Sequence, residues 1–278
     1  MVEIDSRALA QASRISALRA THVGRSSHIG SCLSVIDVLA VLYGGVARVR
    51  PDRPDDPARD IVILSKGHAA AGLYSVLAHS GFFPLEWLAD YSQDGSRLGG
   101  HVTSTVVPGV EFSTGSLGHG LPFGLGLALA AKRGGTARKV FVVMSDGECD
   151  EGTTWESALL AAHHGLDNLV VAIDRNHLQS LADTEETLRL EPFADKWAAF
   201  GWDVVSVDGH DHDALRRSLE VPPSAPGVRA RPRVVICETV KGKGVSFMEN
   251  RVLWHYRSPD DDALTAALSE LQPAVEGR

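Results

Sequence analysis

The chain contains 278 residues, 44% of them hydrophobic and 22% charged, with a formal net charge of −8 at pH 7. That length builds a full hydrophobic core, as one large domain or two small ones, and the composition is that of an ordinary soluble globular protein. The acidic balance argues against a general nucleic-acid or anionic-membrane partner and leaves room only for a local basic site.

Two helical patterns open the chain. Apolar residues at helical spacing (Ile4, Leu9, Ile15, Leu18) predict a helix over Glu3–Thr21, and a second runs over Ser34–Tyr43 with Ser34 placed to cap it. The stretch Arg48–Asp60, with prolines at 51, 54 and 57, reads as a surface loop. Strand-like runs follow at Ile61–Leu64, Val140–Met144, Leu169–Ile173, Val204–Val207 and Val234–Cys237. Several are apolar throughout, which suits strands of a parallel sheet covered on both faces. Helices are predicted between them at Ala69–His79, Gly120–Lys132, Thr154–His164 and Asp213–Leu219. A second proline-rich loop covers Val221–Arg233, and Ser258–Arg278 holds one short helix and a tail. This alternation predicts an α/β, three-layer fold with a mostly parallel central sheet flanked by helices, and the whole chain, 1–278, is expected to be one domain.

The three cysteines, Cys32, Cys149 and Cys237, lack any zinc-like spacing and read as free thiols of a reducing compartment. No basic segment precedes an apolar one at the N-terminus, and no run approaches the ~20 apolar residues that span a bilayer. A cytoplasmic protein without membrane or nucleic-acid partners is expected. His163 and His164 carry no assignment, and His210 and His212 read as solvated loop residues.

In parallel sheets of this kind ligands bind beyond the carboxyl ends of the strands. Lys66 and His68, Asp146, Asn176 and Lys241 all follow strand candidates at that end. Asp146 and Asn176 lie 30 residues apart, one strand–helix–strand unit, so they can meet. A carboxylate and an amide oxygen, with a backbone carbonyl near Leu178, suit Mg²⁺, which takes few carboxylates and leaves room for phosphate and water. The alternative is structural: Asp146 caps the helix near Thr154 and Asn176 shapes a turn. A calcium loop fits poorly, since Ser157 stands where its closing glutamate belongs. Neither GxxxxGK[ST] nor GxGxxG is present.

The segment Ser145-Asp146-Gly147-Glu148, continuing through Glu151-Gly-Thr-Thr-Trp155-Glu156 to Asp174-Arg-Asn176-His-Leu-Gln179, resembles the thiamine diphosphate signature, in the form found in transketolases. Further segments agree in order: SSHIGSCLS (26–34), LSKGHAAAGLY (64–74), GGHVT (99–103), STGSLGHGL (113–121), TVKGKG (239–244) and WHY (254–256). The chain is similar to the N-terminal half of a transketolase.

That resemblance implies roles for particular residues. Asp146, Asn176 and the Leu178 carbonyl fall at the family's Mg²⁺ ligands. Gly115, Ser116, Leu117, Gly147, His68 and Lys241 fall where the family contacts the diphosphate and nearby cofactor atoms, and Ser31 follows His28 at its usual site. His28, His101 and His255 match the histidines that line the approach to the thiazolium and bind sugar hydroxyls; imidazole suits such proton exchange because it titrates near neutrality. Glu151 matches an acid that couples two active sites across a subunit interface. Cys149, inside the signature, has no adjacent base and reads as incidental. Ser145, Ile29, Val102 and His119 depart from the family pattern, and these departures bear on the substrate more than on the cofactor.

The family's pyrimidine-binding and C-terminal domains have no counterpart here, so the expected entity is the diphosphate-binding subunit of a split enzyme, working as α2β2 with a separate pyrimidine-binding chain. The implied activity is transfer of a two-carbon ketol unit from a ketose phosphate to an aldose. Two alternatives stay open: another thiamine-dependent carbon–carbon bond enzyme, such as an acyloin-forming or 2-oxo acid dehydrogenase subunit, and a non-catalytic cofactor-binding paralogue.

Overall fold

The computed structural model describes residues 4–222, 227 and 229–272. Helix α1 (Ser6–Val23) begins at Asp5, whose carboxylate accepts the Arg7 and Ala8 amides and so meets donors that a helix start leaves unpaired. Helix α2 (Ile29–Val41) follows, and every one of its residues is buried. A helix apolar on all sides belongs to a core. It starts five residues ahead of the predicted cap: Ser34 lies inside it, donating to the Ser31 carbonyl and to Asp174 Oδ2. With the turn that continues it, the segment Ile29–Val46 has the length and apolarity of a membrane span, contrary to the expectation from the sequence, but 94% of it is buried within the protein.

Strand β1 (Ile61–Leu64) leads to α3 (Ala70–His79), and α4 (Gly120–Arg133) precedes β2 (Val140–Ser145). Then come α5 (Gly152–His163), β3 (Leu169–Arg175), the short α6 (Thr184–Thr187) and α7 (Phe193–Ala199), β4 (Asp203–Asp208), α8 (His212–Leu219), β5 (Arg233–Glu238) and α9 (Asp261–Leu271). The strands form one sheet in the order β1-β2-β3-β5-β4, and every pairing between these five strands is parallel. The predicted elements stand to within a few residues, Ser34 apart; α6 and α7 were not predicted. The predicted position Glu3 and the tail beyond 272 lie outside the described residues, as does part of the 221–233 loop.

The apolar runs have a simple cause. Val62, Leu64, Phe141, Val143, Val170, Ala172 and Val235 face a core built with α1, α2, α3 and α8. Their alternates Ile61, Ile63, Val140, Val142, Leu169, Val171 and Val234 face a second core with α4, α5 and α7. Successive side chains of a strand point to opposite faces, so both sets must be apolar when both faces are covered. Strand β4, at the edge, is only partly buried.

Candidate active site

At the carboxyl ends of β1, β2, β3 and β5 the chain encloses a cavity of about 210 Å³. His28, Ser31, His68, His101, Gly115, Leu117, Asp146, Gly147, Asn176, Leu178, Lys241 and His255 line it, together with Lys66, Ser145, Gln179 and Ser180. The motifs scattered along the sequence therefore converge. Ser116 and Glu151 are the predicted site residues that do not line this cavity; both are exposed. Glu151 instead packs over the Gly115–Gly120 turn: a Cβ on Gly118 would lie 2.6 Å from the Glu151 Cβ, and Gly118 has φ of +79°, where only glycine is at ease. A larger cleft of about 1030 Å³ beside Tyr43, Arg50 and Phe82 contains none of the motif residues.

Asp146 follows β2 and is buried. Its Oδ1 accepts the Gly147 amide at 2.8 Å and its Oδ2 the His177 amide at 2.7 Å, with the Arg175 guanidinium 3.5 Å behind. It caps the single turn Gly147–Asp150 rather than α5, whose start at Glu151 has no side-chain cap. Burial, then the nearby Asp174 carboxylate, push its carboxyl group above the ordinary range, against the opposing pull of Arg175 and the two amides. Asn176 donates through Nδ2 to Asp174 (3.2 Å) and accepts the Leu178 amide at Oδ1 (3.1 Å), which orients its amide oxygen. A carboxylate, an amide oxygen and a carbonyl are all hard donors, fitting Mg²⁺ with further oxygens from phosphate or water. Among the described residues no three His, Cys, Asp or Glu side chains are grouped to hold a metal by themselves.

Two lysines stand in the cavity floor, beside the Asp146 and Asp174 carboxyl groups. Lys66, fully buried, donates to Asp174 and to the Ser31 carbonyl. Lys241 donates to the Leu178 carbonyl and to His255 Nδ1, each at 3.1 Å. Burial, then repulsion from Lys66, lower its pKa to about 8.

Above this floor four imidazoles cluster. His28 lies with its ring centroid 5.2 Å from His68, 5.7 Å from His101 and 5.0 Å from His255. His28 precedes α2 with φ of +77° and is tied by its amide to the His255 carbonyl at 2.8 Å. Burial, aided by His101 and the two lysines, lowers His28 to about 4; burial and then Lys241 lower His255 to about 3. His68 is also driven well below its usual value, chiefly by burial. These three rings are neutral near pH 7, each able to donate at one nitrogen and accept at the other.

Several supporting residues escaped the sequence reading. Glu148 is buried and accepts from Ser65 Oγ, the Gly118 amide (2.8 Å) and the Ser145 amide (3.3 Å), tying three motif loops together. Arg175 backs Asp146 while bonding Thr184 Oγ1 and Glu191. Gln179 packs against Gly147, where a Cβ would lie 2.9 Å from its Cγ. A charged residue at the end of an apolar strand, as Asp174 and Arg175 are, was the available signal. His210 and His212 are a correction: instead of being solvated, both rings are bonded to the buried Asp37 carboxylate, because the loop after β4 folds back onto α2. The cysteines are free and buried, and burial and then Glu148 hold the Cys149 thiol well above its usual pKa, consistent with an inert group.

Residues 5–270 match the family described as transketolase, thiamine diphosphate binding domain. The chain is 42% identical to a subunit of the apulose-4-phosphate transketolase of Actinobacillus succinogenes, over 97% of its own length and 96% of that protein's. It is 37% identical to the 6-deoxy-6-sulfo-D-fructose transketolase subunit SqwG of a Clostridium species, over 94% and 95% respectively. The solved transketolase of Leishmania mexicana superimposes with a TM-score of 0.86 at 27% identity, covering 96% of this chain but only 41% of the larger one. The architecture, the convergent motifs and these similarities place the chain in the transketolase family, as a thiamine diphosphate-binding N-terminal domain.

Proposed function

We propose that this chain is the diphosphate-binding subunit of a split transketolase, transferring a two-carbon ketol unit from a ketose phosphate to an aldose with thiamine diphosphate and Mg²⁺. The observation that carries the reading is the single cavity joining hard oxygen donors, two lysines and four histidines. When bound, the cofactor supplies the electron sink for breaking and making carbon–carbon bonds. Asp146, Asn176 and the Leu178 carbonyl would hold the metal, and Lys66 and Lys241 supply a positive field for an anionic diphosphate. His28, His101 and His255 bind sugar hydroxyls and exchange protons with them.

Support for a partner chain comes from relatives of matching length, each named as one subunit of a transketolase. The cavity's borders support it too. Leu181 and Tyr256 adjoin the lining residues Ser180 and His255, and Leu253 precedes them on the same turn as His255. These three side chains, Leu181, Leu253 and Tyr256, are 77%, 58% and 59% exposed. Large apolar side chains left in water beside a site suit burial under a second polypeptide. The reading takes that polypeptide to be a pyrimidine-binding chain in an α2β2 assembly, located in the cytoplasm. The test is to combine this chain with such a partner, Mg²⁺ and the cofactor, and to supply ketose phosphates with aldose acceptors. Products longer and shorter by two carbons are expected; turnover of 2-oxo acids alone would overturn the reading.

A further inference from the structure

Behind the cavity, a buried polar chain runs from α1 to the turn that carries Lys241. Asp37 on α2, with a side chain only 5% exposed, accepts from Arg14 and from His210 Nδ1 (2.6 Å) at Oδ2, and from His212 Nε2 (3.0 Å) at Oδ1. His212 Nδ1 is 2.8 Å from Ser6 Oγ. At the far end the Val240 amide donates to His210 Nε2 at 2.9 Å. A backbone N–H cannot accept, so His210 Nε2 must carry the lone pair and Nδ1 the proton, the tautomer that Asp37 receives. A doubly protonated ring would set N–H against N–H at Val240. Hydrogen bonds from His210 and His212, with the Arg14 charge, outweigh burial and hold Asp37 ionised well below the usual carboxylate range.

Val240 immediately precedes Lys241. The neighbouring backbone is tied elsewhere: the Thr239 amide to the Arg175 carbonyl and the Gly242 amide to the Gly30 carbonyl. The Val240 amide is held by a side chain, and that side chain is itself held by α2, the helix that starts directly after His28 and carries Ser31 in its first turn. We propose that His210, fixed in one tautomer by Asp37, is a positioning residue that sets the Val240–Lys241 turn and so aims the Lys241 ammonium into the cavity. Lys241 cannot shift without giving up its bonds to Leu178 and His255, so the turn, α2 and the histidine cluster keep one register. The sequence presents this device only as a histidine in a polar loop.

The cofactor enters here only through the function proposed above; the positioning itself is tested without it. Two amides separate the two halves of the imidazole. His210→Gln places an oxygen near the Nε2 position and keeps an acceptor for Val240; His210→Asn places its amide near Nδ1, serving Asp37 but not Val240. In the cofactor-free full-length chain, the acetylation rate of Lys241 is read by mass spectrometry against the other lysines at equal fraction folded. His210→Asn is expected to raise it about tenfold, the equilibrium weight of one hydrogen bond, and His210→Gln about twofold or less. Equal effects of the two variants, or none from His210→Asn, would overturn the proposal. Should His210→Asn fail to fold, long-range ¹H–¹⁵N spectra of the unmodified chain decide: an Nδ1–H tautomer supports the device, and an Nε2–H tautomer or a cation near neutral pH overturns it. Adding Mg²⁺ and thiamine diphosphate to the unmodified chain assembled with its partner separately asks whether Lys241 becomes protected. Absence of protection there counts against the cofactor reading and leaves the positioning result standing.

Discussion

Lys66 donates its ammonium to the Asp174 carboxylate in the floor of the cavity, and neither side chain has any exposed surface. Asp174 also accepts from Ser34 Oγ, Thr239 Oγ1 and Asn176 Nδ2, so one carboxylate joins α2, β3 and the segment after β5. Attraction to Lys66 and these bonds overcome the large opposing effect of burial and lower its pKa. Removing one partner of such a pair leaves a buried charge uncompensated. Lys66→Met is therefore expected to cost about 3–5 kcal/mol of unfolding free energy. Urea denaturation checks it, and a loss below about 1 kcal/mol, the scale of a surface pair, would contradict the burial argument.

The metal assignment is tested at Asp146. Asp146→Ala removes the charged donor and leaves the Gly147 and His177 amides without their acceptor, so divalent-dependent binding of thiamine diphosphate should be lost. Asp146→Asn removes the charge and keeps one acceptor oxygen, but sets its NH2 against either the Gly147 or the His177 amide. It is expected to be less destabilised than Asp146→Ala and to bind the cofactor weakly. Calorimetry on the assembled enzyme at several Mg²⁺ concentrations reads both. Unchanged affinity in Asp146→Asn would mean that this carboxylate does not serve a cation.

The histidines make a separate prediction. Alanine at His28 or His101 should lower kcat/KM for ketose phosphates by about 10² to 10⁴, the usual range for acid–base groups, while leaving cofactor affinity nearly intact. His255→Ala also frees Lys241 and should weaken the cofactor as well. If cofactor affinity falls in step with turnover in the His28 and His101 variants, these rings hold the cofactor and not the sugar.

The depressed imidazoles carry a pH signature. An unfolded histidine titrates near 6.5, whereas His28 is held near 4 and His255 near 3 in the folded, cofactor-free chain. Between these values the unfolded chain binds more protons at these two positions than the folded one, so their contribution to stability falls as pH drops from about 6.5 toward about 4. The raised carboxyl groups of Asp146, Glu148 and Glu111 act in the opposite direction, and the difference between parent and variant isolates the imidazole. The decline should ease below that, as the folded rings also protonate. Asp37, held well below the ordinary carboxylate range, adds to the decline only as pH approaches about 4, where the unfolded carboxyl begins to protonate, so measurements at pH 5 and above leave it out. Urea midpoints at pH 7, 6 and 5 give the slope, and His255→Gln should flatten it. Identical slopes for parent and variant would show that His255 titrates normally.

Most of the strand and helix order could be read from periodicity because both faces of the sheet are covered, which leaves strands as bare apolar runs between turns. Part of the cavity lining could be read because Lys66, His68, Asp146, Asn176 and Lys241 follow strands, where sheet geometry brings them together. His28, His101 and His255 lie in loops and turns away from strand ends, and only motif resemblance pointed to them. What stayed hidden depends on long-range packing. Ser34 looks like a cap, yet becomes a core residue when the helix extends back to Ile29. His210 looks solvated, yet meets an aspartate 173 positions away. Helix α7 was overlooked, though Phe193 and Trp197, both buried and four residues apart, mark its inner face.

The last prediction concerns the chain by itself. Its cavity at the carboxyl ends of the strands is bordered by exposed apolar side chains, and the chain covers only 41% of the Leishmania mexicana transketolase. A domain that grips the diphosphate through Asp146, Asn176 and the lysines holds one end of a long cofactor. On the function proposed above, the other end is left for a second polypeptide. Catalysis should therefore be absent from the purified chain supplied with Mg²⁺, thiamine diphosphate and ketose phosphates, and should appear on adding a pyrimidine-binding chain. Covering Leu181, Leu253 and Tyr256 should stabilise that complex, since an obligate interface resembles a core cut in two. Leu253→Asp is expected to weaken association, with the fold of the separate chain unchanged because the residue is 58% exposed. Analytical ultracentrifugation with an assay of the same mixtures measures both. Full ketol transfer by the lone chain would show that it needs no partner, whereas activity that tracks the fraction assembled places the working site at the junction.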